Sequence, residues 1–228
     1  MKNLSTYICE EIHFKLTRNY KNPYNYHPKD IDELKEVIEK LIKERGIDAD
    51  LNDIDTSDIT DMSGLFKTIN FNGDISRWDV SNVKNMCKMF MHSTFTGDIS
   101  NWDVSNVKSM TGMFYKSKFD GDLSKWNVSN VKDMGMMFEF SKFTGKNGDI
   151  SDWDVSNVKD MHNMFYYSIY DGDISKWNVS NVEDMTRMFM SSKVKCNLNN
   201  WKLQKCKKLQ MFEWSQYTKK PKWYKNKK

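Results

Sequence analysis

Six tryptophans fall at positions 78, 102, 126, 153, 177 and 201, so the spacings are 24, 24, 27, 24 and 24 residues. A fixed period in this range marks a chain whose units stack, because one unit alone cannot bury its own apolar face. One unit reads F-x-G-D-I-S-x-W-D/N-V-S-N-V-x-x-M-x-x-M-F-x-x-S-x, with residues 71–94 one copy and 95–118 the next. The longer copy carries three extra residues within Phe143-Thr-Gly-Lys-Asn-Gly-Asp149, a turn-like segment where a stacked repeat tolerates insertion. The first copy is degenerate: residues 50–62 align with 74–86, and Ile54 takes the Trp position. The last copy keeps Leu198, Trp201, Leu203, Cys206 and Leu209 and loses one residue before Phe212. Seven coils result, and atypical end copies are expected because an end coil has one neighbour only.

Two periods lie within a coil. Ile75, Trp78 and Val80 form a short run that suits a strand, and Val83, Met86, Met89 and Phe90 follow at helical spacing. Ser81-Asn82 would cap that helix, and Gly73, Gly97, Gly121, Gly148 and Gly172 would serve the next turn. The expected fold is therefore an α/β repeat solenoid, leucine-rich-repeat-like, of about seven coils. At the ordinary strand spacing it makes a rod of roughly 30–35 Å. The excess of Met (16) and Trp (8) belongs to its core ladders.

The run G-D-I-S-x-W-D-V-S-N-V-x-x-M-x-x-M-F resembles the repeat of the BspA-like leucine-rich-repeat surface proteins, over about residues 49–212. The resemblance implies a leucine-rich-repeat-like solenoid that binds proteins, and some members are surface adhesins. His27-Pro-Lys-Asp…Lys-Glu-Arg-Gly46 is similar to the leader of short intracellular or phage-borne members.

Residues 1–48 read as an N-terminal helical cap. Within it, residues 30–45 carry the apolar stripe Ile31, Leu34, Val37, Ile38, Leu41 and Ile42, with acids at the start, Lys43 and Arg45 at the end, and Gly46 as the stop. Residues 6–16 suggest a second, shorter helix. Residues 49–212 are the solenoid and 213–228 a basic aromatic tail. Residues 193–228 hold 12 Lys and one acid, Glu213, whereas the other 192 residues carry 23 basic and 30 acidic side chains. The net charge of +4 thus conceals a bipolar molecule. Lys219, Lys220, Lys222, Trp223, Tyr224 and Lys225 combine cations with rings, a chemistry that contacts phosphates and stacks on bases. The alternative is a solvated tail whose rings cover the last coil.

No segment approaches the roughly 18 apolar residues of a membrane span, and the N-terminus has no signal-peptide core. Cys9, Cys87, Cys196 and Cys206 are scattered, so free thiols and a cytoplasmic location are expected. No cofactor, metal or membrane contact is expected. Asp74, Asp98, Asp122, Asp149 and Asp173 recur once per coil, but their turn context favours bonds to backbone N–H groups over a cation stripe. The Met pairs suit core packing better than thioether ligation. No nucleophile–base pair, phosphate loop or metal-protease motif is present, so the chain reads as non-enzymatic.

Recognition is expected where coils differ. Arg77, Asn101, Lys125, Asp152 and Lys176 form one variable column, continued by Asn200. Asp79, Asp103 and Asp154 form another, alternating with Asn127 and Asn178. Lys84, Lys108, Lys132, Lys159 and Glu183 make a third, and Tyr115, Glu139, Tyr166 and Met190 vary after the Phe positions. A protein partner is expected on these columns, one version being a phage or mobile-element product that blocks a host nucleoprotein. The rival classes are a bacterial surface adhesin and direct nucleic-acid binding through the tail.

Overall fold

A computed structural model describes residues 24–224. The expected helix over residues 6–16, with Cys9 and His13, lies outside the described residues, as does Lys225.

Helix α1 spans Ile31–Arg45. The Asp30 side chain accepts from the N–H groups of Asp32 and Glu33, which stabilises the first turn. Gly46 ends the helix at φ 92, with its N–H on Ile42 O. The apolar stripe buries Leu34, Ile38 and Leu41 in one core with Leu51 and Ile54 of the first coil. Tyr26 bridges Ile54 in parallel, and Arg45 donates both guanidinium nitrogens to the two Asp53 oxygens at 2.9 Å.

From residue 49 onward the repeats stack in register. A column of parallel bridges runs through Asp61, Asn85, Ser109, Asp133, Asp160, Asp184 and Lys207, one residue per repeat. The interior is a set of ladders. Phe66, Phe90, Phe114, Phe138, Phe165, Phe189 and Phe212 stack ring on ring with centroids 5.5–6.0 Å apart. Each Trp sits beside them and sends its indole N–H to a carbonyl of the preceding coil: Trp78 to Leu51, Trp102 to Ile75, Trp126 to Ile99. This contact fixes register, because a slipped coil would leave a buried N–H without an acceptor.

The local elements differ from the expected strand and helix. Ile75 to Val80 is no strand: Trp78 N–H returns to Ile75 O, closing a turn. Residues 83–90 are no helix. Met89, Met91 and Ser93 N–H close turns on Met86, Lys88 and Phe90. The N–H groups of Met86, Lys88, Phe90 and His92 instead reach Ser109, Thr111, Met113 and Tyr115 of the next coil at 2.8–2.9 Å. Lys88 and His92 have φ 57 and φ 55, the sign a type II turn needs at its third residue. Two such turns in succession place Met86, Met89 and Phe90 inward at intervals of three and four, the same intervals a helix produces. Among the described residues α1 is the one helix, so the units do not alternate α with β.

The turn geometry repeats at Gly112 and Lys116, Met136 and Phe140, Asn163 and Tyr167, and Arg187 and Ser191. A left-handed backbone costs a non-glycine residue about 1 kcal/mol, and here each such residue lies within turns tied to the next coil by an N–H bond. Gly73 does not carry this conformation. It is glycine because a Cβ would strike Ala49 O and the Phe71 ring. The expected cap at Ser81-Asn82 is also reassigned: Asn82 Nδ2 donates to Ser57 O of the coil before, and Asn106, Asn130, Asn157 and Asn181 repeat the bond.

The stack does not end at Phe212. Tyr217 packs against Phe189 and Phe212. Trp223 lies 6.4 Å from Trp201 and sends its indole N–H to Leu198 O, as each earlier Trp does one coil below. Residues 213–224 therefore begin a further partial coil rather than a separate tail.

Candidate functional site

The variable columns occupy two different parts of the coil. Arg77, Asn101, Lys125, Asp152 and Lys176 are all exposed at the Trp corner. Two of them pair with acids at long range: Lys176 Nζ is 3.7 Å from Asp152 Oδ1, and Arg77 is 3.9 Å from Asp50. Asp79, Asp103 and Asp154 are exposed too, but each braces its own backbone. Their Oδ1 atoms accept the N–H of Ser81, Ser105 and Ser156 at 3.0 Å. Bonds from those serines hold the carboxyls of Asp103 and Asp154 below the usual range. Asn127 and Asn178 do the same for Ser129 and Ser180, which explains why Asp and Asn exchange freely there. The Asp74 column behaves alike: Asp74, Asp122 and Asp173 accept Ser76, Ser124 and Ser175 N–H at 2.8 Å. Those backbone bonds lower the three carboxyl pKa values. Among the described residues no group of three or more His, Cys, Asp or Glu could hold a metal ion.

Tyr115 and Tyr166 lie on the opposite part of the coil, the double-turn side, in company that the sequence did not single out. His92, Lys116, Phe140 and Tyr167 occupy the adjoining left-handed column. His92 and Tyr115 rings are 5.3 Å apart, Phe140 stacks on Tyr167 at 4.8 Å, and Tyr166 meets both rings edge-on. Lys116 Nζ lies 5.3 Å from the ring centres of both Tyr115 and Phe140. Glu139, between Tyr115 and Tyr166 in its column, is only 6% exposed. Desolvation pushes its carboxyl pKa up, against the lowering effects of Asn163, His162 and Lys116. The only sequence signal for this cluster was the succession of aromatic residues just after the Phe ladder.

An acidic group borders the cluster. His162 Nδ1 is 2.8 Å from Asp160 Oδ1, and this bond raises the imidazole pKa. Burial opposes ionisation of Asp160, but the His162 bonds outweigh it and lower its pKa. Asp133 is raised by desolvation and by the Asp160 charge. A groove of about 690 Å³ runs along Asp133, Asp160 and Asp184 and is edged by Lys159, Glu183 and Lys207. Its charges are largely paired, with Lys159–Glu183 at 3.3 Å and Lys207–Asp184 at 3.7 Å.

At the C-terminal end Lys219, Lys220 and Lys222 are exposed. Of the two readings of the tail, base stacking or covering the last coil, the rings of Trp223 and Tyr224 follow the second. Trp223 faces Trp201, Tyr224 meets Phe212 edge-on at 4.9 Å, and Lys220 Nζ lies over Tyr224 at 5.4 Å. At the other end a cavity of about 400 Å³ is lined by Tyr24, Arg45, Asp50, Asn52, Asp53 and Arg77. The Arg45 bonds hold the Asp53 pKa at about 2.

A stack of near-identical coils, saturated inside and varied outside, defines a repeat protein. The sequence pattern of one family, described as Mycoplasma protein of unknown function, DUF285, matches residues 33–147 and 140–224. The chain belongs to that family. The match starts within α1 and ends at Tyr224, so it includes the partial coil formed by residues 213–224. No curated protein and no solved structure matches the chain. No helix among the described residues is long and apolar enough to cross a membrane.

Proposed function

We propose that the chain is a leucine-rich-repeat-like solenoid of the BspA-like kind and works as a non-enzymatic binding protein for another protein. One observation carries this reading. Indole N–H groups and turn carboxylates are committed to the stack, whereas outward positions change chemistry from coil to coil, from Arg77 to Asn101, Lys125 and Asp152. Repeat folds place recognition on such columns. Capture of partners from the native host by wild-type chain, and by a variant with Arg77, Asn101, Lys125, Asp152 and Lys176 all changed to Ala, tests it. Loss of a captured protein is expected. Unchanged capture by this variant, and by a second one altered at Tyr115 and Tyr166, sinks it.

A narrower version adds a nucleoprotein partner, as for a mobile-element inhibitor. It draws on the exposed Lys219, Lys220 and Lys222. Binding through these lysines falls steeply as salt rises. A flat salt response removes the nucleic-acid component and leaves the protein reading standing.

A further inference from the structure

The double-turn side holds a cluster that turn formation does not require. Glu139 Oε2 is buried and meets no hydrogen-bond donor among the described residues. A buried acceptor left unmet is costly, more so when charged. Its column neighbours are Tyr115 and Tyr166, and its chain neighbour Phe140 stacks on Tyr167. Phe140 and Tyr167 are 37% and 47% exposed, so large rings stand in solvent next in the chain and in the adjoining coil to a carboxylate that Asn163 bonds and whose Oε2 is left without a donor.

The carboxylates outnumber the bases on this stretch, where the one basic side chain is His162, held by Asp160 and raised in pKa. Residues 133–140 and 160–167 include Asp133, Glu139 and Asp160 and no Lys or Arg. The cations of the flanking coils are already engaged: Arg187 Nε donates to Gln210 at 2.7 Å, and Lys116 lies over Tyr115 and Phe140. The placement of Lys116 shows that these rings accept an ammonium group on their faces, where the ring quadrupole is negative.

Building on the protein-binding reading, we propose that this patch seats a cationic side chain from an extended basic segment of the partner protein. The arginine or lysine head group would lie against the exposed Phe140 and Tyr167 rings and the partly exposed Tyr166 ring, and draw the Glu139 carboxylate outward to meet it. Lys116 competes for the Phe140 ring from within the chain. Desolvation raises the Glu139 pKa against the lowering effects of Asn163, His162 and Lys116, and a further cation beside it would favour the ionised form.

The test is calorimetric titration of the full chain with hexa-arginine peptide near neutral pH, with hexaglutamate as control. Hexa-arginine binds and hexaglutamate does not. Glu139→Gln weakens binding by about tenfold or more, since a charge-assisted bond is lost. Phe140→Ala with Tyr167→Ala weakens it comparably, and Lys116→Met tightens it. The two ring positions are exposed, so this variant reports on the patch even where Glu139→Gln disturbs folding. Equal binding of hexaglutamate, or hexa-arginine binding unaffected by the ring variant, overturns the proposal. A native partner lost with the Arg77-column variant but kept by the ring variant also overturns it, and leaves the broader function intact.

Discussion

At the Trp corner almost every polar group is committed to holding the coil together. The indole N–H bonds to the coil below, and Asp74 and Asp79 accept the turn N–H two residues on. On the double-turn side the backbone fills that role, with N–H groups at alternate positions reaching the next coil. Asp61, Asn85, Asp160 and Asp184 still accept the N–H two residues on where the turns begin, and beyond them aromatic, acidic and basic groups replace one another between coils. The two regions come from one repeat, yet bonds between coils are made by side chains at the Trp corner and by main chain on the double-turn side. A surface whose shape depends on backbone bonds can change its side chains without losing its geometry.

Substitutions break this comparison in graded steps. Trp126→Ala should be the most damaging, because it opens a cavity beside Phe114 and removes the bond to Ile99 O. A loss of about 3–5 kcal/mol is expected in urea unfolding. Less costly is Arg45→Met, which leaves Asp53 without its fork and should lose about 1 kcal/mol at neutral pH. The sign of its pH dependence follows from the depressed Asp53 pKa. The pair's contribution is present above the unfolded carboxyl value of about 3.9, and it is lost as pH falls toward about 2. The wild-type and Arg45→Met unfolding curves should therefore converge in acid; curves that stay parallel would contradict the role given to the pair.

Smaller and of opposite sign is the effect of Lys88→Gly. Lys88 sits at φ 57, so glycine relieves strain and should raise stability by about 0.5 kcal/mol after its own entropic cost. Gly112, at the equivalent position with φ 61, should lose a similar amount on change to Ala. A stability drop for Lys88→Gly would show that its side chain, rather than the turn, decides the position. Least of all should come from Asn101→Ala and Lys125→Ala, exposed at the Trp corner, each within about 0.5 kcal/mol by thermal unfolding.

The period, the inward Phe, Met and Trp positions and α1 were legible because apolar spacing and capping residues are local properties. Helical reading of residues 83–90 failed for a definite reason. Inward positions at three and four residues apart arise from a helix and equally from two successive turns. The choice depends on whether Met86 N–H finds an acceptor within its own coil or at Ser109 of the next. Left-handed positions were hidden because Lys88, His92 and Phe140 are not residue types that announce such a backbone. That the rings after Phe212 cover the last coil was one of the two readings the sequence left open; that Trp223 continues the Trp ladder was not legible, because it follows Trp201 by 22 residues, off the period. Arg77 and its column were read as exposed, and they are. The joining of Tyr115, Lys116, Phe140 and Tyr167 was not legible, since the contacts lie between coils and across columns.

By itself the sequence determined that units of one length must stack and which face of each must be buried, since a fixed period of Trp, Phe and Met leaves no other way to remove that surface from water. The tertiary structure decided how each backbone N–H is satisfied. A hydrogen bond to the neighbouring coil cannot be read from one coil alone. That choice replaced helix with turns, held non-glycine residues in left-handed conformations, and brought a buried carboxylate and exposed rings together at Glu139.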